Sequence, residues 1–118
     1  MQPKKIMIAD DDAAIVDVME LILSFEGYEV KSTMKGETLL ELKENFPDLI
    51  LLDIWMSGCD GRVICKKLKE NNDSNTIIIL TSASKDIELS AIESGADDFI
   101  AKPFDINDLI KKVKKHLP

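Results

Sequence analysis

The stretch Leu49-Ile50-Leu51-Leu52-Asp53 constrains this chain more than any other. Four apolar residues in a row leave no polar face, so the strand they form must be covered on both sides, as strands of parallel sheets are. Asp53 then closes the run. A carboxylate is tolerated beside such a strand where the strand ends, and open α/β sheets place their ligand sites at that edge. Asp53 is the first candidate functional residue.

Similar runs recur along the chain. Lys5-Ile6-Met7-Ile8-Ala9 reads as a buried strand closed by Asp10-Asp11-Asp12. Residues 13–26 carry helical spacing and stop at Gly27, with Asp12 as the candidate cap. This helix has two apolar stripes: Met19, Ile22 and Leu23, and then Ala14, Ile15, Val18, Leu21 and Phe25. They form either one wide core face or a core face plus an exposed docking surface.

Tyr28–Ser32 alternates like an edge strand, and residues 36–45 read as an amphipathic helix with Leu39, Leu40 and Leu42 inward. The central strand, 48–53, is followed by the turn-like Ser57-Gly58-Cys59-Asp60-Gly61. A third helix, about 61–70, presents Val63, Ile64 and Leu68, and Asn71–Asn75 is a polar loop. Thr76–Leu80 is a strand ending in Thr81-Ser82. A helix over about 85–94, stopped by Gly95, has only Ile87, Leu89, Ala91 and Ile92 to bury. Phe99–Ala101 is the last strand, then Lys102-Pro103-Phe104, and a final helix capped by Asp105 presents Leu109, Ile110, Val113 and Leu117. Five strand–helix units in alternation predict one doubly wound α/β domain with a parallel sheet.

Composition narrows the chemistry. A net charge of −7 argues against direct nucleic-acid binding, and no apolar run approaches the roughly 18 residues of a membrane helix. The Lys-rich end (Lys111, Lys112, Lys114, Lys115) reads as the solvated last turn of a helix. Without a signal-peptide pattern, cytoplasmic residence is expected. Cys59 and Cys65 lack metal-ligand spacing and read as free thiols. The one histidine, His116, leaves no Ser-His or Cys-His pair. The chemistry must run on carboxylates, hydroxyls and lysine.

Placed at the strand ends, Asp10 and Asp11, Asp53, Thr81 and Lys102 share one edge of the expected sheet. Clustered carboxylates repel and call for a cation, and an oxygen-only ligand set suits Mg²⁺. A lysine and a hydroxyl there match the oxygens of a phosphoryl group. A carboxylate beside such a cation can itself be the nucleophile and form an acyl phosphate.

With these residues in place, the chain resembles the receiver domain of two-component response regulators, the chemotaxis-regulator-like family, over essentially its whole length. The matching features are Asp10-Asp11, Asp53 within Asp-x-x-Met-x-x-x-Asp-Gly (Asp53, Met56, Asp60, Gly61), Thr81-Ser82 and Lys102-Pro103-Phe104. The resemblance implies a flavodoxin-like, five-stranded sheet of order 2-1-3-4-5 with five helices, in a single receiver domain over 1–118 without an output domain. It implies that Asp53 accepts a phosphoryl group from a sensor histidine kinase or a histidine phosphotransfer protein. Asp11, Asp53 and the Trp55 backbone carbonyl would ligate Mg²⁺, and Asp10 would act through water. Thr81 and Lys102 would take phosphoryl oxygens, and small Ser82 would leave access to Asp53. A cis Lys102–Pro103 bond is expected. Phe99 and Thr81 would switch a surface of the fourth helix, last strand and last helix toward an unknown effector protein, in a monomer or a phosphorylation-dependent dimer. The second stripe of the first helix, at Ala14, Ile15 and Val18, matches the kinase-docking surface. Such a domain is a phospho-acceptor that promotes its own phosphorylation and dephosphorylation, and is not an enzyme acting on others.

Two departures stand out: Ser57 occupies a position where the family usually has proline, and Trp55 and Ala83 flank the expected path of attacking water. They imply a looser loop and a slowly hydrolysed acyl phosphate. Two rival readings remain. One is a receiver fold that binds partners without phosphorylation. The other is a haloacid-dehalogenase-like phosphatase using Asp10-x-Asp12, although Ala13-Ala14 follow in place of the usual Thr or Val.

Overall fold

Leu49–Asp53 is the middle strand of a five-stranded parallel sheet in the computed structural model, which describes residues 2–56, 58–71 and 75–118. In chain order the elements are β1 (Lys5–Ala9), α1 (Ala13–Phe25), β2 (Glu29–Thr33), a 3₁₀ helix (Gly36–Glu41) and β3 (Leu49–Asp53). A two-residue hairpin ladder follows, pairing Trp55–Met56 with Cys59–Asp60. The remainder is α2 (Gly61–Asn71), β4 (Ile77–Ser82), α3 (Ile87–Ser94), β5 (Asp98–Ala101) and α4 (Ile106–His116). The sheet order is β2-β1-β3-β4-β5, every pairing parallel, as the family resemblance implies.

The apolar run of β3 divides between two cores. Leu49 and Leu51 face one cluster with Val16, Met19 and Leu23 of α1 and Leu109 and Val113 of α4. Ile50 and Leu52 face the other, with Leu39 of the 3₁₀ helix, Ile64, Cys65 and Leu68 of α2, and Ile87 and Ala91 of α3. Successive side chains of a strand point to opposite faces, so a strand covered on both sides needs apolar residues at every position. Burial of each such side chain contributes about 1.5–3 kcal/mol.

Caps set the helix ends. The Asp12 carboxylate accepts the Ala14 and Ile15 N–H groups at 3.0 and 3.3 Å, and Asp105 accepts that of Asn107 at 2.7 Å. Gly27 and Gly95 take positive φ, 98° and 79°, just after α1 and α3. No helix among the described residues is long and apolar enough to cross a membrane. Cys59 and Cys65 are free thiols.

Three local expectations change. The helix expected over 36–45 is a 3₁₀ segment that ends at Glu41, after which Leu42 is extended (φ −65°, ψ 131°). Three-residue periodicity suits this segment: Leu39 is buried, and Leu42 packs half-buried on the same core. Leu40 lies between them and points outward. Gly36 at its start sits close against the core, where a Cβ would meet Met56 Cε and Ile64 Cδ1 at 2.6 Å. On α2 and α3, Val63, Leu89 and Ile92 are exposed and not inward, and Cys65 takes a core position instead. On α1 the stripe Ala14, Val18, Leu21 and Phe25 is exposed, Phe25 to 89%, while Val16 completes the core face. The Ser57 substitution and the middle of the polar loop, 72–74, lie outside the described residues.

Candidate functional site

The site forms where β1, β3, β4 and β5 end. Asp10 follows β1 and is held there by its N–H bond to the Thr33 carbonyl, 3.2 Å. Its buried carboxylate accepts the Asp12 N–H at 2.9 Å, so Asp10 turns inward while Asp12 caps α1. Asp53 ends β3 in register with Thr81 of β4, and the adjacent Ile54 N–H bonds to the Thr81 carbonyl at 3.0 Å. Both Asp53 and Thr81 are buried. Asp11 is half-buried beside them, and carboxylate oxygens of Asp10, Asp11 and Asp53 all lie within 4.8 Å of one another.

Lys102 enters from β5. Its N–H bonds to the Ser82 carbonyl at 2.8 Å, and the bond to Pro103 is cis, as expected. Its ammonium stands 2.8 Å from Asp10 and 3.3 Å from Asp53. Small Ser82 is buried, its hydroxyl accepting the Ser84 N–H at 3.0 Å, and Ala83 is exposed.

Two buried carboxylates therefore share one ammonium. Burial and the neighbouring Asp10 charge push Asp53 up to about 6, although Lys102 and the Trp55 N–H favour its ionised form. Burial pulls Lys102 down, but Asp10 and Asp53 outweigh it and leave the ammonium above its ordinary value. The cluster is short of positive charge. Three convergent carboxylate oxygens, without nitrogen or sulfur donors, fit a hard divalent cation such as Mg²⁺.

The loop after Asp53 is locked from beneath. Gly61 donates its N–H to the Ile54 carbonyl at 2.7 Å, and a Cβ there would stand 2.2 Å from the Asp53 carbonyl oxygen. Only glycine permits that approach, which gives the Asp60-Gly61 pair of the motif a physical cause. Asp60 caps α2 by accepting the Arg62 N–H at 2.9 Å. It also holds the Arg62 guanidinium, Nε at 3.0 Å and Nη2 at 2.7 Å. Arg62 in turn lies 4.6 Å from the centroid of the Trp55 ring, which is 57% exposed. Sequence reading singled out Trp55 but missed Arg62, whose role emerges only once the hairpin folds back.

Phe99 sits on β5 opposite Leu80, one position before the Ile100–Thr81 pairing, and is half-buried. Its neighbour Asp98 also escaped sequence reading. The Asp98 carboxylate receives Lys112 at 2.6 Å, His116 at 2.9 Å and Lys115 at 3.6 Å, so much of the Lys-rich end is paired rather than merely solvated. Burial pushes Asp98 up, but hydrogen bonds from Lys112 and His116 prevail and hold it well below the usual carboxylate range.

The structure thus brings Asp10, Asp11, Asp53, Thr81 and Lys102 together, with Trp55 on the flank and Phe99 one strand away. Residues 6–114 match the family described as the response regulator receiver domain. Among solved structures, the chain is similar to a putative response regulator from Chloroflexus aurantiacus, at 34% identity, TM-score 0.89 and 98% coverage of each chain. It is also similar to a CheY-like receiver domain protein from Methanospirillum hungatei, at 36% identity and TM-score 0.79, covering 98% of this chain and 94% of that one. A third is the BeF3-activated receiver domain of DrrB, a Thermotoga maritima OmpR/PhoB homologue. It shows 32% identity and a TM-score of 0.86, with coverage of 98% and 97%.

Proposed function

The chain belongs to the response regulator receiver domain family of two-component signalling, and on that footing we propose that Asp53 is its phospho-acceptor. The observation that carries this reading is the placement of Asp53, buried at a strand end between two further carboxylates and the Lys102 ammonium. An ionised Asp53 oxygen attacks the phosphorus of a phosphohistidine on a sensor kinase or phosphotransfer protein. The P–N bond breaks, the imidazole keeps its electron pair, and an acyl phosphate remains on Asp53.

Mg²⁺, when bound, offsets the charge gathering on the phosphoryl oxygens. Asp11, Asp53 and the Trp55 carbonyl would hold it, with Asp10 acting through water. The remaining work belongs to the chain. Lys102, already at the carboxylates, exchanges an Asp53 oxygen for a phosphoryl oxygen. Thr81, in register with Asp53, donates its hydroxyl to another. Movement of Thr81 toward the phosphate draws the Phe99 ring inward and alters the surface of α3, β5 and α4, which an effector protein reads. The BeF3-activated state described for the DrrB receiver domain supports a switch of this kind. The exposed Ala14–Val18 end of the α1 stripe, beside half-buried Ile15, is the docking surface for the phosphohistidine partner. Such a domain works in the cytoplasm, as a phospho-acceptor rather than an enzyme acting on others.

The test is incubation with acetyl phosphate and Mg²⁺ followed by intact-mass measurement. Wild type gains one phosphoryl group and Asp53→Ala gains none. An adduct that survives Asp53→Ala would place the acceptor elsewhere.

A further inference from the structure

Lys112 of α4 lies against the two residues that open β5. Its ammonium stands 2.6 Å from the Asp98 carboxylate and 4.8 Å from the centroid of the Phe99 ring. Asp98 is itself fixed: its side chain is 8% exposed, and it accepts the Phe99 N–H at 2.8 Å in addition to pairing with Lys115 and His116. An ammonium held by a buried carboxylate cannot wander, and a cation over an aromatic face is attracted by the ring quadrupole.

The ring has space beside it. A groove of about 440 Å³ runs along β5 and α4, lined by Phe99, Ala101, Pro103 and Phe104 and by Lys111, Lys112 and Lys115. A ring bordering open volume is not confined by packing on that side. Phe99 packs against the core cluster of Leu80, Ile87 and Ala91 on its other side, and at the groove Lys112 is placed to bias the ring toward one position.

We infer that Lys112 is a positioning residue for Phe99, its Asp98-anchored ammonium holding the ring at the groove in the resting protein. The inference rests on the proposed role of Phe99 as the aromatic that moves on phosphorylation, and it adds the group that opposes that movement. Lys112 thereby sets the resting balance of the switch, and loss of its charge loosens the ring without touching Asp53, Thr81 or Lys102.

The experiment measures the χ1 rotamer populations of Phe99 by three-bond NMR couplings in wild type, Lys112→Met and Lys112→Arg, unphosphorylated and without divalent metal. Lys112→Met keeps the alkyl stem and loses the cation. It should raise the minor Phe99 rotamer about two- to fivefold, the factor that an exposed cation–ring contact implies. Lys112→Arg should restore the wild-type populations. Equal populations in all three proteins, or an Arg variant that behaves like Met, would overturn the inference. The same couplings after treatment with acetyl phosphate and Mg²⁺, with the adduct verified by mass, test the underlying reading separately. A phosphorylated wild type that keeps the resting rotamer would refute Phe99 as the switch, whereas the comparison in the unphosphorylated proteins judges Lys112 by itself.

Discussion

Gly61 lies so close beneath Asp53 that a Cβ on it would stand 2.2 Å from the Asp53 carbonyl oxygen and 2.9 Å from Ile54 Cα. Both contacts are with backbone, which has no rotamer to yield. The hairpin that carries Trp55 and the start of α2 are pinned to the end of β3 through this approach, together with the Gly61–Ile54 hydrogen bond of 2.7 Å.

Gly61→Ala should therefore cost about 1–3 kcal/mol of stability, as forced overpacking does. Because the strain falls on the peptide of the proposed acceptor, phosphorylation by acetyl phosphate should slow as well. Urea denaturation and the rate of mass gain are the measurements. A variant that unfolds at the wild-type midpoint would mean that the loop shifts freely, and the pinning would be refuted.

The charge imbalance at the site has a pH signature. Asp53 is raised from its ordinary 3.8 to about 6 by burial and Asp10, which corresponds to about 3 kcal/mol against its ionised form. The folded protein then binds the Asp53 proton more tightly than the unfolded chain does. Stability from this group is greatest below pH 4, falls as pH rises through 6, and stays low above that. In metal-free buffer Asp53→Asn should be up to about 3 kcal/mol more stable than wild type at pH 7, a gap that closes toward pH 4. Added Mg²⁺ should stabilise wild type and leave Asp53→Asn nearly unchanged. Denaturation series at several pH values with EDTA or Mg²⁺ would reveal this, and a pH-independent gap would contradict it.

The main lines of this molecule are written locally and the exceptions are not. Each strand end carries its chemistry in adjacent residues, Asp10-Asp11, Asp53, Thr81-Ser82 and Lys102-Pro103, so sheet and site could be read together. The α1 helix was ambiguous because Ala14, Ile15, Val16, Val18 and Leu21 make it apolar nearly all round, and only packing shows that Val16 turns in while Val18 and Leu21 turn out. The 3₁₀ segment misleads for a related reason: Leu39 and Leu42 fit either a helical or a three-residue period. Lys112 and Asp98 were illegible individually. Fourteen positions separate them, and each is an ordinary surface charge until α4 packs against β5.

The proposed docking role of the exposed α1 stripe can be tested by comparing two phosphodonors. Val18 is 47% exposed and contributes nothing to either core cluster, so Val18→Glu should leave folding within about 0.5 kcal/mol of wild type. A small phosphodonor needs only the site, whereas on the proposed function a phosphohistidine protein docks on this stripe. Val18→Glu should therefore react normally with acetyl phosphate and at least tenfold more slowly with a phosphorylated histidine phosphotransfer domain that phosphorylates wild type. Equal slowing with both donors would point to a damaged site, and normal rates with both would remove the stripe from docking.

On the proposed function, the lifetime of an acyl phosphate on Asp53 depends on the side chains flanking it, and Trp55, two residues on, is held by a relay of charges. Asp60 fixes the Arg62 guanidinium through Nε at 3.0 Å and Nη2 at 2.7 Å, and Arg62 lies 4.6 Å from the Trp55 ring centroid. The hydrogen bond from Arg62 holds Asp60 below its ordinary carboxylate value, so the clamp persists across the neutral range. A large ring two residues beyond Asp53, with Ala83 too short to orient water, should make hydrolysis slow. Trp55→Asn should shorten the half-life of the phosphorylated protein severalfold. Arg62→Ala, which frees the ring without removing it, should shorten it by about two- to fivefold, the factor implied by loss of an exposed cation–ring contact. Trp55 is also the sole tryptophan, so its emission should change in Arg62→Ala and report the loosened ring directly. If Trp55→Asn decays at the wild-type rate, the ring shields nothing and the slow hydrolysis must be sought in Ala83. If Trp55→Asn is fast and Arg62→Ala is not, the ring acts by bulk alone and the clamp is decorative.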